Sequence, residues 1–138
     1  MALTRFDIAT HGPGLYEFTG QVMTWLAGQG DGLLTLFIRH SSASLLVQEN
    51  ADPEVRRDLT EFLHRLVPPA DNPAMSYLTH VHEGPDDMPA HIKAALLPVS
   101  LSIPVRAGRM ELGTWQGIYL VEHRAAPHRR QVSAHLGG

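Results

Sequence analysis

The sequence predicts an α+β domain of mainly antiparallel sheet with two or three helices, and three observations carry that reading. Most apolar residues fall in short runs of strand length, two or three stretches carry helical spacing instead, and the two kinds do not alternate regularly. A doubly wound fold would need regular βαβ alternation. The 138 residues match the size of one domain and can bury about 70% of the unfolded surface. No repeat, low-complexity block or long linker divides them, so residues 1–138 are read as one unit.

In chain order, Leu15 to Phe18 reads as a short strand. Thr19 then stands where a cap belongs, before a helix through Val22, Met23 and Leu26 that stops in the turn Gly28 to Gly32. Leu33 to Ile38 is a continuous apolar run rich in branched and aromatic residues, the pattern of a buried strand, and it delivers His40-Ser41-Ser42 to its end. Ser44 to Gln48 reads as the next strand. Asp52 suits an N-cap and Pro53 a first helical position, which predicts a helix over Pro53 to Leu66. Val55, Leu59, Phe62, Leu63 and Leu66 make one apolar stripe on it, so a core helix is expected. The segment Pro68 to Pro73 ends that helix as a surface loop. A further helix is expected from near Pro89 through His91, Ile92, Leu96 and Leu97, with Asp86 and Asp87 at its positive end. Strand patterns follow at Val99 to Val105, Met110 to Leu112, Gly117 to Glu122 and Arg129 to Leu136, with a turn at Ala107-Gly108. Open sheet edges in such a fold need cover, and oligomerisation is one way to give it.

Composition removes several functions. The absence of cysteine excludes disulfides, thiolate zinc sites, iron–sulfur clusters and cysteine nucleophiles. A net charge of −3 argues against a nucleic-acid partner. No basic segment followed by an apolar one opens the chain, and no apolar run approaches ~18 residues, so a soluble, cytoplasmic protein without a membrane partner is expected. The sequence lacks a phosphate-binding Gly-x-x-x-x-Gly-Lys loop, a His-Glu-x-x-His helix and a Gly-x-Ser-x-Gly elbow.

Nine histidines with no cysteine mean that any transition metal here is held by imidazole and carboxylate. The dense region is His80-Val-His82-Glu83-Gly-Pro-Asp86-Asp87, followed by His91 and Lys93. In a strand, His80 and His82 would share a face and converge on one ion, or flank a solvent-facing strip. His91 falls near a helix N-terminus, where the dipole favours the neutral imidazole that zinc needs. Glu83, Asp86 and Asp87 offer orienting partners for histidine ligands or oxygen ligands for Mg²⁺ carrying a phosphorylated substrate; capping explains the two aspartates equally well. His40-Ser41-Ser42 lies at a strand exit and could bind an oxyanion. His123 and Arg124 end a strand and face opposite ways, so one of them can face a given site. His11, His64, His128 and His135 read as surface residues.

Four segments in order resemble one family. They are His40-Ser-Ser-Ala-Ser-Leu, Glu49-Asn50-Ala-Asp52-Pro53, Glu83-Gly-Pro-Asp-Asp-Met-Pro-Ala-His91-Ile-Lys and Gly113-Thr-Trp-Gln-Gly-Ile-Tyr-Leu-Val-Glu122-His123-Arg124. Together they are similar to the YjbQ-like family, also called the secondary thiamine-phosphate synthase enzyme family, over about Arg5 to Leu136. The resemblance implies a homotrimer whose sheets pack around a threefold axis. It also implies a divalent metal, zinc, with His80, His91 and His123 as ligands and His40 nearby, in a pocket lined by Asn50, Asp52, Glu83, Asp86 and Asp87. His82 does not coincide with a family histidine. The implied activity joins a pyrimidine diphosphate to a thiazole phosphate with loss of pyrophosphate. The departing charge would then fall to a divalent ion, to Lys93 or Arg124, or to the hydroxyls of Ser41 and Ser42. Mg²⁺ on carboxylates is the usual choice for a diphosphate. A metal-dependent hydrolase of a small anionic substrate, with Glu83 or an aspartate as base, and a metal- or ligand-binding trimer without catalysis are the alternatives.

Overall fold

A computed structural model describes residues 2–138. Eight strands and three helices follow one another as β1 (Ala2–Thr10), β2 (Gly14–Glu17), α1 (Thr19–Leu26), β3 (Gly32–Ile38), β4 (Ala43–Glu49), α2 (Pro53–Leu66), α3 (Asp87–Leu96), β5 (Ser100–Arg106), β6 (Arg109–Met110), β7 (Gln116–Glu122) and β8 (His128–Gly137). The α+β expectation of mainly antiparallel sheet holds. A five-stranded sheet has the order β1-β8-β3-β5-β6 and a three-stranded sheet the order β2-β7-β4, with antiparallel pairing throughout.

The alternation of side chains along each strand builds the core between the two sheets. Phe6, Ile8, Leu34, Leu36, Ile38, Ile103, Val105, Val132, Ala134 and Leu136 of the larger sheet pack with Ala43, Leu45, Ile118 and Leu120 of the smaller one, and Phe18, Val22 and Leu26 of the α1 region complete the cluster. On the far face of the smaller sheet, Tyr119 and Val121 are buried too. There α3 packs on β4 and α2 on β2, with the Arg56 guanidinium 5.9 Å from the Tyr119 ring centroid.

Two expectations change. The stripe on α2 is not core: no residue of that helix is buried, and Phe62 and Leu66 are 60% and 54% exposed. The helix has the amphipathic pattern of a packed element but meets only the three-stranded sheet's flank, so much of its apolar face has no partner within the chain. Likewise β3 is apolar on both faces, yet one face is open, with Leu33 and Phe37 47% and 48% exposed. Strand β1 is an addition to the expected elements, its Phe6, Ile8 and Thr10 alternating inward with Asp7 and Ala9 outward. Among the described residues no helix is long and apolar enough to cross a membrane.

Candidate metal centre

Helix α3 begins earlier than its proline suggests, at Asp87, and this start organises the site. A carboxylate in the first turn of a helix is stabilised by the dipole, and the i, i+4 spacing puts Asp87 and His91 on one face. Asp87 Oδ2 lies 3.2 Å from His91 Nε2 and 2.7 Å from Nε2 of His80, which arrives on the preceding loop. The other oxygen, Oδ1, accepts from Arg124 Nη1 at 2.7 Å. Ligand atoms from His80, Asp87 and His91 all lie within 4.8 Å of one another.

The second nitrogen of His91 sharpens this geometry. Nδ1 is 2.9 Å from the carbonyl oxygen of Ser41, and because a carbonyl only accepts, Nδ1 donates. A neutral ring then turns its Nε2 lone pair toward the Asp87 carboxylate oxygen. Two acceptors 3.2 Å apart require a cation between them, either a proton on the ring or a metal ion. A backbone acceptor that fixes the tautomer in this way is the usual support of a metal-ligating imidazole. Zinc bonds of about 2.0–2.2 Å in tetrahedral array place ligand atoms roughly 3.3 Å apart, which this trio approaches. Two imidazoles and one carboxylate suit zinc better than Mg²⁺, which asks for an oxygen-rich shell.

Arg124 fixes the loop around the site. It donates through Nε to Asp86 Oδ2 at 2.8 Å and through Nη2 to the Glu83 carbonyl at 3.3 Å, while the Ala125 amide donates to Asp86 Oδ2. Gly84 has φ +98°, so the reversal between Glu83 and Asp86 relies on a glycine. Burial alone would raise the carboxyl groups of Asp86 and Asp87. For Asp86 the Arg124 and Ala125 donors outweigh it, and for Asp87 the bond from His80 and the charges of His91 and Arg124 do. Both therefore titrate below the ordinary carboxylate value. The Glu83 carboxylate is exposed, 3.9 Å from His80 Nε2.

Thus His80, Glu83, Asp86, Asp87, His91 and Arg124 come together, and Ser41 joins them through its backbone. His82, expected on a strand with His80, lies in a turn and outside the trio; residues 78–83 form no strand. The four family histidines do not converge within this chain. The amide of Gln131 donates to His40 Nε2 at 2.8 Å, which ties the end of β3 to β8. His123 Nε2 lies 2.9 Å from Ser44 Oγ, and burial, reinforced by the nearby Lys93 charge, lowers its pKa to about 4. Ser42 binds Arg130 through its hydroxyl, part of a buried group in which Arg130 also pairs with Glu122 and Thr10 donates to the same carboxylate. Asp52 caps α2 by accepting from the Glu54 amide, and Asn50 donates to Glu17. Lys93 is buried and lines a small cavity with His123. A cleft of about 680 Å³ between α1 and β6, lined by Met23, Met110 and Leu112 among others, contains none of the histidines.

Comparison with known proteins agrees with this architecture. The model of the UPF0047 protein YjbQ-like family matches residues 4–138. A UPF0047 protein of Synechocystis is 48% identical over 133 residues, covering 95% of this chain and 88% of that one. The UPF0047 protein YjbQ of Salmonella typhimurium is 46% identical over 128 residues, covering 91% and 89%. Among solved structures, a hypothetical protein of Aeropyrum pernix superposes with a TM-score of 0.87 at 30% identity, over 100% of this chain and 99% of that one. A conserved hypothetical protein of Thermus thermophilus gives 0.84 at 34%, over 97% and 99%. With a match this long in sequence and fold, the chain belongs to the YjbQ-like UPF0047 family.

Proposed function

We propose that the chain is a zinc-dependent enzyme acting on a small anionic substrate, with His80, Asp87 and His91 as the metal ligands. The observation that carries this reading is the approach of His91 Nε2 to Asp87 Oδ2 while His91 Nδ1 is committed to the Ser41 carbonyl. Bound there, zinc would supply Lewis-acid polarisation of a substrate oxygen and acidification of water. Arg124 holds Asp87 and Asp86 in place and so sets the ligand carboxylate, leaving Glu83 as the exposed carboxylate beside the trio. Glu83 Oε2 accepts the proton of an attacking water, which makes hydrolysis of a phosphate ester or anhydride the reaction this arrangement supports best.

After chelation, titration calorimetry with zinc is expected to give one strong site per chain, absent in His91→Ala. Wild-type protein that takes up no zinc sinks the reading, and leaves the cation between His91 and Asp87 as a proton. Activity against a panel of phosphate monoesters and anhydrides should return with zinc and fall about 10²- to 10⁴-fold in Glu83→Gln. Thiamine-phosphate synthesis, implied by the family resemblance, is the second reading. It is supported by the same carboxylate-rich loop, but Arg124 is occupied by Asp86 and Asp87 and Lys93 lies in a cavity with His123. Thiamine phosphate and pyrophosphate formed from the two phosphorylated precursors, with no hydrolysis of the panel, would select it.

We also infer that the chain works as a homotrimer. Support comes from β3, whose apolar residues face both ways although only one face is covered within the chain. Leu33 and Phe37 on its open face are the expected contacts. Phe37→Asp should shift the mass measured by light scattering from trimer toward monomer; a wild-type chain that is monomeric at micromolar concentration contradicts the assembly.

A further inference from the structure

We propose that the cleft between α2 and β2 is a second ligand site, separate from the metal centre, which takes a small organic carboxylate with its charged end on Lys93 and His123. The cleft has an outer part of about 550 Å³ and an inner end of about 20 Å³. Pro13, Gly14, Thr60 and His64 line both parts, so the two adjoin. Lys93 and His123 stand at the inner end.

Both groups are unusual for their burial. Lys93 is 7% exposed and His123 3% exposed, yet the ammonium of Lys93 forms no salt bridge or side-chain hydrogen bond among the described residues. His123 uses Nε2 toward Ser44, and its Nδ1 has no protein partner. A buried ammonium without a partner is costly. Among the described residues no buried side-chain nitrogen or oxygen is both sealed from solvent and unpartnered, so these two nitrogens retain contact with open space, and both residues line the inner end of the cleft. We take the Ser44 hydroxyl as the donor to Nε2, which places the ring proton on Nδ1. An ammonium and an imidazole N–H then stand as two donors at the inner end, beside a Glu122 carboxylate that is already engaged by Arg130 and Thr10.

Size selects the ligand class. An inner end of about 20 Å³ has room for about one water-sized group, so it admits one oxygen of a carboxylate while the rest of that group stays at its mouth, and it does not enclose a tetrahedral phosphate. The outer part offers apolar wall from Leu15 next to the polar side chains of Arg56 and His64, so an alkyl or aryl body extends outward while the carboxylate is held within.

Calorimetric titration with the linear monocarboxylates acetate, butanoate and hexanoate tests this on the full chain, with inorganic phosphate as the comparison. Wild-type protein should bind butanoate and hexanoate more tightly than acetate, and phosphate more weakly than any of them. Lys93→Met should weaken butanoate binding by about tenfold or more, the value of a hydrogen bond to a charged group. Leu15→Trp, which narrows the outer part and leaves Lys93 intact, should remove the advantage of hexanoate over acetate. Zinc titration of Lys93→Met should match wild type, so failure of the metal reading and failure of this one are separable. No carboxylate binding at millimolar concentration, phosphate binding as tight as butanoate, or unchanged butanoate affinity in Lys93→Met with a normal melting transition would each overturn the proposal. Loss of zinc binding in Lys93→Met would overturn the separation of the two sites.

Discussion

Asp87→Ala is expected to reduce zinc affinity at least hundredfold and to lower stability by about 2–4 kcal/mol. The first effect follows from its place between two imidazoles: Asp87 is the only carboxylate of the three-ligand group, and two neutral histidines alone leave the ion with half a tetrahedral shell. The second follows from burial. Arg124 Nη1 loses its partner, and removing one member of a buried pair costs several kcal/mol, reduced here because Asp86 still receives Nε. Asp87→Asn separates the two effects, since the amide oxygen can still accept from Arg124 while the ligand charge is lost. Urea unfolding and zinc calorimetry on both variants make the comparison; an Asp87→Asn protein that binds zinc like wild type would remove Asp87 from the ligand set.

Glu122→Ala should be the most damaging single change to stability, at about 3–5 kcal/mol, a large share of the 5–15 kcal/mol typical of a domain. Its carboxylate is fully inside the protein and receives Arg130 Nε at 2.8 Å, Thr10 Oγ1 and the amides of His123 and Arg124 at 3.0 and 3.1 Å. Without it, Arg130 is a buried charge with only Ser42 for company. The pH dependence has a definite sign. Burial raises the Glu122 carboxyl, but Arg130, Thr10 and the backbone donors outweigh that and hold it below its ordinary value. The folded state therefore binds this proton less readily than the unfolded chain. The stabilisation is complete above the unfolded value near 4.3 and is lost as pH falls from there through the folded value. Glu122→Gln should be less stable at neutral pH and should show a flatter acid limb in urea unfolding between pH 5 and 3. An acid limb as steep as wild type would assign that limb to other groups.

Much of the fold was legible because local chemistry and tertiary role agreed. Asp52 and Pro53 start α2 where capping predicts, and β3, β4, β7 and β8 lie close to the apolar runs that suggest them. The α2 stripe shows the limit of pattern reading: periodicity reports that a face wants burial and is silent on whether the same chain supplies the partner. β1 carries a period-two alternation from Phe6 to Thr10, a signal diluted by the apolar Leu3 and Ala9 on the outward face and by the polar Thr10 on the inward one.

At the site, His80, His91 and the acidic loop could be grouped from sequence because they lie within one short segment and one helical turn. Pairings across the fold could not be read that way. Arg124 reaches Asp86 and Asp87 from 38 and 37 residues away, and Ser41 contributes a main-chain oxygen to His91 from 50 residues away, which no side-chain pattern announces. Lys93 and His123 offer charge and a ligand type in the sequence, and the structure sets them together in a different cavity. His64, read as a surface residue, borders that cavity, because the sequence shows the polar side of α2 and not what the helix covers.

The position of β8 has a consequence for how the protein is made. This strand lies between β1 and β3 and pairs with both, from Ala2 opposite Leu136 to Ile38 opposite Val132. During synthesis β1 emerges first and has no neighbour in its sheet until residues 128–137 have been added. Until then β1 and one side of β3 present unpaired strand edges, the surfaces most prone to join another nascent chain. Ribosome-bound chains halted before His128 should accordingly remain sensitive to protease along β1 and depend on chaperones, whereas emergence of β8 covers one side of β1 and the open side of β3 together.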